Sequence, residues 1–101
     1  MKIFKVLGSV TLARSHPTYQ GGRFRILQAA GDELLSRPES AEPDMLVAWD
    51  DRGAGIGSLV AVSDGGEAAQ AFRPEQKAVD AYVSAILDSV VIDEEVAKQL
   101  K

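Results

Sequence analysis

The sequence predicts a small, all-β protein with minor helix, folded as one domain. Three observations carry that expectation. Short runs of period-two apolar and polar alternation recur along the chain, and glycine, proline and aspartate clusters separate them. The chain has 101 residues, 46% hydrophobic and 26% charged, which is ordinary globular composition and suits a single modest core. It has no cysteine, which excludes disulfides, thiolate chemistry and cysteine-bound metal. The longest apolar runs fall far short of the ~20 residues a membrane span needs. The opening Met-Lys-Ile-Phe-Lys-Val is no secretory leader. The expectation is a soluble, cytoplasmic protein.

Residues 2–13 read as the first strand. Phe4, Val6, Val10 and Leu12 share one face, with Lys5, Ser9 and Thr11 on the other, and Gly8 marks a bend or bulge. His16-Pro17 and Gln20-Gly21-Gly22 are turn chemistry. Residues 23–30 resume the alternation, with Phe24, Ile26 and Gln28 opposite Arg23, Arg25 and Leu27. From Gly31 to Asp44 the chain reads as an exposed acidic loop with a short helical turn around Glu33-Leu34-Leu35. Met45 to Trp49 is a third strand and Ser58 to Ser63 a fourth. Glu67 to Phe72 suits one or two helical turns. Residues 79–92 carry two signals at once. Val79, Tyr82, Val83, Ile86, Leu87 and Val90 have helical spacing, while Val83, Ile86, Val90, Val91 and Ile92 give a β-branched character. On the residues alone the period sets the helix ahead. The tail, 93–101, is predicted helical, capped by Asp93, with Glu94 and Glu95 in its first turn and Glu94 paired to Lys98.

The formal charge of −4 conceals a division. Residues 1–30 hold Lys2, Lys5, Arg14, Arg23 and Arg25 and no acid, a formal +5. The remainder holds six bases and all fifteen acids. Such polarity points to charge-matched contact between copies of the chain or with neighbours. The acidic total argues against general nucleic-acid binding, where basic residues supply most of the affinity.

No constellation with catalytic logic is present. Gly53-Ala54-Gly55-Ile56-Gly57 resembles a phosphate cradle only superficially, because Ser58 stands where a dinucleotide fingerprint needs glycine and no Walker lysine follows. A tight inter-strand loop explains it better. Asp50 and Asp51 are neighbours on a strand and point to opposite faces, so they do not converge on one ion. One of them is expected to bond the backbone of the turn. His16, the lone histidine, has no ligand partner and belongs to a turn. The serines lack a nucleophile elbow. Trp49 and Phe72 read as core or interface aromatics. No cofactor, metal or catalytic residue is predicted.

A resemblance adds what spacing does not. Lys2-Ile3-Phe4-Lys5-Val6-Leu7-Gly8-Ser9-Val10, His16-Pro17 and Gly21 before Arg25-Ile26-Leu27-Gln28 resemble the opening of the bacterial microcompartment vertex proteins of the EutN/CcmL type. The likeness continues through Val47 to Gly57, where Asp50 matches an aspartate three residues ahead of a Gly-Ala-Gly turn, and through Gly65-Gly66-Glu67-Ala68-Ala69, Val79-Asp80-Ala81 and Ile86 to Val90. It covers residues 2–92. Ala69 stands where the family usually has arginine, and Arg52 where a hydrophobic residue is common.

The resemblance implies a five-stranded antiparallel OB-like barrel over 1–92, with a short helix before the last strand. It therefore makes a strand of the ambiguous segment, and the β-branched residues fit that. It implies a structural protein, not an enzyme, whose homopentamer caps the vertices of a cytoplasmic polyhedral shell beside hexameric shell proteins. It places Asp51, Arg52, Gly53, Ala54 and Gly55 in a loop near the five-fold axis, where Asp51 or Arg52 would set the sign of any pore. Arg23, Arg25 and Trp49 are the expected subunit or shell contacts. The competing expectation is an OB-like module binding single-stranded nucleic acid or another ligand, since fold does not fix function.

Overall fold

In a computed structural model, described here for residues 1–38, 43–77 and 79–99, five strands close into a barrel. They are β1 (Lys2–Val10), β2 (Phe24–Ala29), β3 (Met45–Trp49), β4 (Leu59–Asp64) and β5 (Ala81–Ile86). Around the barrel their order is β1-β2-β3-β5-β4. Helix α1 (Gly31–Leu34) follows β2, α2 (Gly66–Gln70) precedes the last strand, and α3 (Glu94–Gln99) forms the tail. Residues 39–42 of the expected acidic loop and 100–101 of the tail lie outside the described residues.

Four neighbouring pairs are antiparallel, but β3 and β5 run parallel, with Trp49 opposite Tyr82. The expectation of a wholly antiparallel barrel is corrected on this point. A closed ring with an odd number of strands cannot alternate direction throughout, so one pair must share a direction.

Gly8 does what its place in the first strand suggests. The β1–β2 register slips between Val6 and Gly8, where Leu7 is the extra residue of a bulge. The slip changes which residues face inward. Phe4 and Val6 enter the barrel core, whereas Val10 packs on a second, outer cluster. The expected shared face of Phe4, Val6 and Val10 is thus split in two.

Two further readings are corrected. Leu27 was expected opposite Phe24 and on the polar side, yet it is fully buried in the barrel core, while Phe24 joins the outer cluster. Arg25 disguised that inward face, because its charge is neutralised inside (below). The helix favoured by the spacing of 79–92 is instead β5, with Ala81 and Val83 in the core and Tyr82 in the outer cluster. A strand wins there because only a strand can bridge β3 and β4 and satisfy their exposed backbone edges.

The inner core gathers Phe4, Val6, Leu27, Ala48, Ala54, Val60, Val62, Ala81 and Val83. The outer cluster is a chain of edge-to-face rings running Tyr19, Phe24, Trp49, Phe72, Tyr82, with centroids 4.8–5.5 Å apart. Such geometry places each ring's positive edge against its neighbour's negative face. In the tail, the Val96 amide donates to Asp93 Oδ1 at 3.0 Å, the expected cap. Lys98 pairs with Glu95, 3.7 Å away, rather than with Glu94.

Candidate functional site

The loop 50–57 closes one end of the barrel, and Asp50 holds it. This carboxylate is 1% exposed. Oδ1 accepts the Arg52 amide and Oδ2 accepts the Ala54 amide, both at 2.9 Å. Arg25 Nε lies 3.2 Å from Oδ2 and also donates to the Ala54 carbonyl at 3.1 Å. The Arg25 Nη1 group donates to Ser9 Oγ at 2.9 Å. A charge taken from water in this way must be paired and hydrogen-bonded to be tolerated. Here one guanidinium and two amides supply that.

The turn-bonding role expected for Asp50 or Asp51 therefore belongs to Asp50. The burial of its carboxylate and its pairing with Arg25 escape sequence reasoning. The available signal is an arginine inside an alternating strand together with an aspartate before a glycine turn.

Asp51, past the end of β3, makes its contacts elsewhere. It accepts the Tyr82 hydroxyl at 2.9 and 3.1 Å and faces Arg52 Nε at 3.8 Å. Gly53 and Gly57 have φ of +81° and +89°, where a side chain is strained. Ala54 is tucked into the barrel core, while Asp51, Arg52, Gly53 and Gly55 stay exposed. Gly55 has no such requirement, since a Cβ there would make only an ordinary contact with Ser58 Oγ at 3.9 Å.

Tyr82 supplies a pH test of this end of the molecule. Burial, then the hydrogen bond to Asp51 and that residue's negative charge, raise its phenol above the ordinary 10.0. A raised folded-state value means that the unfolded chain loses this proton first as pH climbs. The contribution is complete below pH about 10 and is lost as pH rises through the folded value. Tyr82→Phe is expected to flatten the alkaline fall in stability. Urea midpoints measured between about pH 8 and 11 check it, and equal slopes in the two proteins would refute it.

The remaining expected contacts separate. Arg23 is exposed, whereas Arg25 is committed to Asp50 and Ala54. Trp49 is 6% exposed, its ring held between Phe24 and Phe72 with Lys77 Nζ 5.3 Å from its centre. The aromatics thus pack on each other and do not form a row interleaved with bases, as a stacking platform for nucleic acid would require. His16 accepts the Thr18 amide through Nδ1 in an exposed turn. Among the described residues no cluster of three or more acidic or histidine side chains could hold a metal ion.

A closed barrel whose buried Asp50–Arg25 pair is spent on fixing a loop defines a scaffold, a class whose work lies in the surfaces it presents. The chain belongs to the EutN/CcmL family: the family model described as ethanolamine utilisation protein EutN/carboxysome matches residues 1–88. It is 39% identical over 95 residues to a carboxysome shell vertex protein, CcmL, of Thermosynechococcus vestitus, covering 92% of this chain and 89% of that protein. The structure of Gloeobacter violaceus CcmL superposes with a TM-score of 0.79 at 34% identity, covering 93% of this chain and 92% of that one. The GrpN pentameric microcompartment shell protein of Rhodospirillum rubrum gives 0.76 at 28% identity, over 92% and 100% of the two chains. These relatives are shell components, and this chain is likewise a structural protein and not an enzyme.

Proposed function

We propose that five copies of this chain close a ring that caps the vertices of a polyhedral bacterial microcompartment in the cytoplasm, flanked by hexameric shell proteins of the same compartment. The observation that carries this reading is the likeness, along nearly the whole chain, to a protein described as a pentameric microcompartment shell protein. The physics is geometric. A flat layer of hexagonal tiles closes on itself only where five-fold units are inserted. A ring of five needs a heterologous interface, in which two different patches of each subunit meet.

In this reading the barrel, residues 1–92, is the structural unit and 93–101 an appended tail. Asp51, Arg52, Gly53 and Gly55 lie at the five-fold axis, with Ala54 as the anchor that fixes them. Nothing within one chain demands glycine at Gly55, which has room for a side chain. Five loops converging on an axis would demand it. Arg23 takes part in the charge-matched contact directly. Arg25 and Trp49 contribute by holding the wall and loop that the neighbour meets.

Native mass measurement tests the stoichiometry, with five chains expected. A particle that stays single or pairs, at concentrations well above cellular ones, refutes the ring. Gly55→Leu tests the axis. Its circular dichroism should match the parent, because the isolated chain has space, while the yield of pentamer falls. Pentamers of unchanged stability would remove the loop from the axis. Passage of the protein through a single-stranded DNA column at physiological salt is expected from its net charge of −4.

A further inference from the structure

The molecule is elongated. The Cα radius of gyration is 14.8 Å, with a longest extent of 47 Å against 26 and 21 Å. A compact domain of this length has about 13 Å. Residues 88–96 present an unusual surface, because Val91 is 91% exposed and Val96 is more than half exposed. In α3 only Ala97 is buried, over a groove shared with Leu34 and Leu35 of the α1 region. An arm that displays valines to water is out of place on a monomer.

A cleft of about 200 Å³ lies elsewhere, lined mostly by apolar side chains such as Leu12, Tyr19, Phe24, Val47 and Val79, with one acid, Asp80. It adjoins a second groove that shares Leu12, Tyr19 and Phe24 and adds Arg23 and Arg25. These grooves open beside the first residues of β2, whereas the arm rests against α1, which follows the last. The six residues of β2 span about 20 Å. The arm and the cleft therefore sit at opposite ends of the same strand, and the arm of one chain does not fill its own cleft.

The charges correspond as well as the apolar surfaces. Asp88 and Glu94 of the arm are exposed, and among the described residues neither has an ion-pair partner. The same holds for Arg23, which lines the second groove. The arm is acidic and apolar, the receptor is apolar with Arg23 free in the groove that adjoins the cleft and Asp80 at the cleft itself, and they are different surfaces of one chain. That is the requirement for a head-to-tail ring.

We infer that residues 88–96 of one copy lie on the next copy in the ring, with Val91 seated in the cleft formed by Leu12, Phe24 and Val47 and the arm's free acids facing Arg23. This rests on the pentamer proposed above. It makes the segment 88–96, which joins barrel to tail, a clasp between neighbours, and its receptor is built from the first third of the chain together with Val47 and Val79.

The natural lack of cysteine allows a direct test. The full chain carrying both Val91→Cys and Val47→Cys is treated with a short bismaleimide, beside each single variant. Particles whose native mass is five chains should give a covalent ladder up to five rungs on a denaturing gel, with single variants stopping at two. Crosslinks confined within one chain, or none, in particles of confirmed five-chain mass overturn the clasp while leaving the ring intact. A native mass of one chain overturns both. Val91→Ser provides a second reading, since a residue so exposed in the isolated chain can be changed without harming its fold. It should raise the concentration at which rings dissociate by about tenfold or more, and an unchanged value overturns the clasp.

Discussion

Replacing Asp50 with alanine is expected to lower folding stability by about 3–5 kcal/mol, the range for removing one partner of a buried ion pair. The change strands the Arg25 guanidinium, whose side chain is only 19% exposed, and orphans the Arg52 and Ala54 amides. Each orphaned amide adds a desolvation cost of its own. A domain of this size has about 5–15 kcal/mol to lose, so the variant should be close to unfolding. Asp50→Asn keeps a carbonyl acceptor in place and should lose less. Asp50→Ala combined with Arg25→Met should recover part of the loss, because the stranded charge is then gone. Urea midpoints at one fixed protein concentration check all three, since assembly also stabilises. A loss below about 1 kcal/mol for Asp50→Ala would mean that the loop is held by something other than this carboxylate.

The same charge pair explains where sequence reading succeeds and where it stops. Alternation finds β1 and β2 as strands, and Gly8 marks the bulge, because period and glycine are local signals. The inward face of β2 is misread because Arg25 looks like a solvent residue. It is an interior one whose partner lies twenty-five positions away, brought alongside when Arg25 pairs with Ala48 across β2 and β3. No local pattern reports a partner on another strand. Residues 81–86 carry helical spacing and β-branched content together, and what decides between them is the barrel's need for a fifth strand. The parallel β3–β5 contact follows from the number of strands and cannot be read from either strand. In the loop, the backbone-bonding role of one of the two aspartates is legible from their place before a glycine turn, while the burial of Asp50 is not. Ala54 and Gly55, adjacent in sequence, have opposite fates, one sealed in the core and one exposed.

Trp49→Ala is the second large effect, about 3–5 kcal/mol for truncating a buried tryptophan. Trp49 sits in the middle of the ring chain, touching Phe24 on one side and Phe72 on the other, with centroids 5.5 and 4.8 Å away. Its loss cuts the chain at its centre and leaves a cavity that a β-barrel wall cannot collapse to fill. It is also the chain's one tryptophan, so far-ultraviolet circular dichroism in urea, not fluorescence, must read the transition. Gly22→Ala approaches the same ring from outside. A Cβ there would lie 2.7 Å from Trp49 Cζ3 and 2.9 Å from Cη2, closer than any carbon contact allows. The ring is wedged between two others and cannot step aside, so this small substitution should cost about 1–3 kcal/mol by overpacking. The two variants together decide what Gly22 is for. If Gly22 is small to admit the indole, Gly22→Ala should cost much less in a Trp49→Ala background than in the parent, with a coupling of about 1 kcal/mol or more. Strict additivity would assign the glycine to the turn alone and leave the ring's close approach without energetic weight.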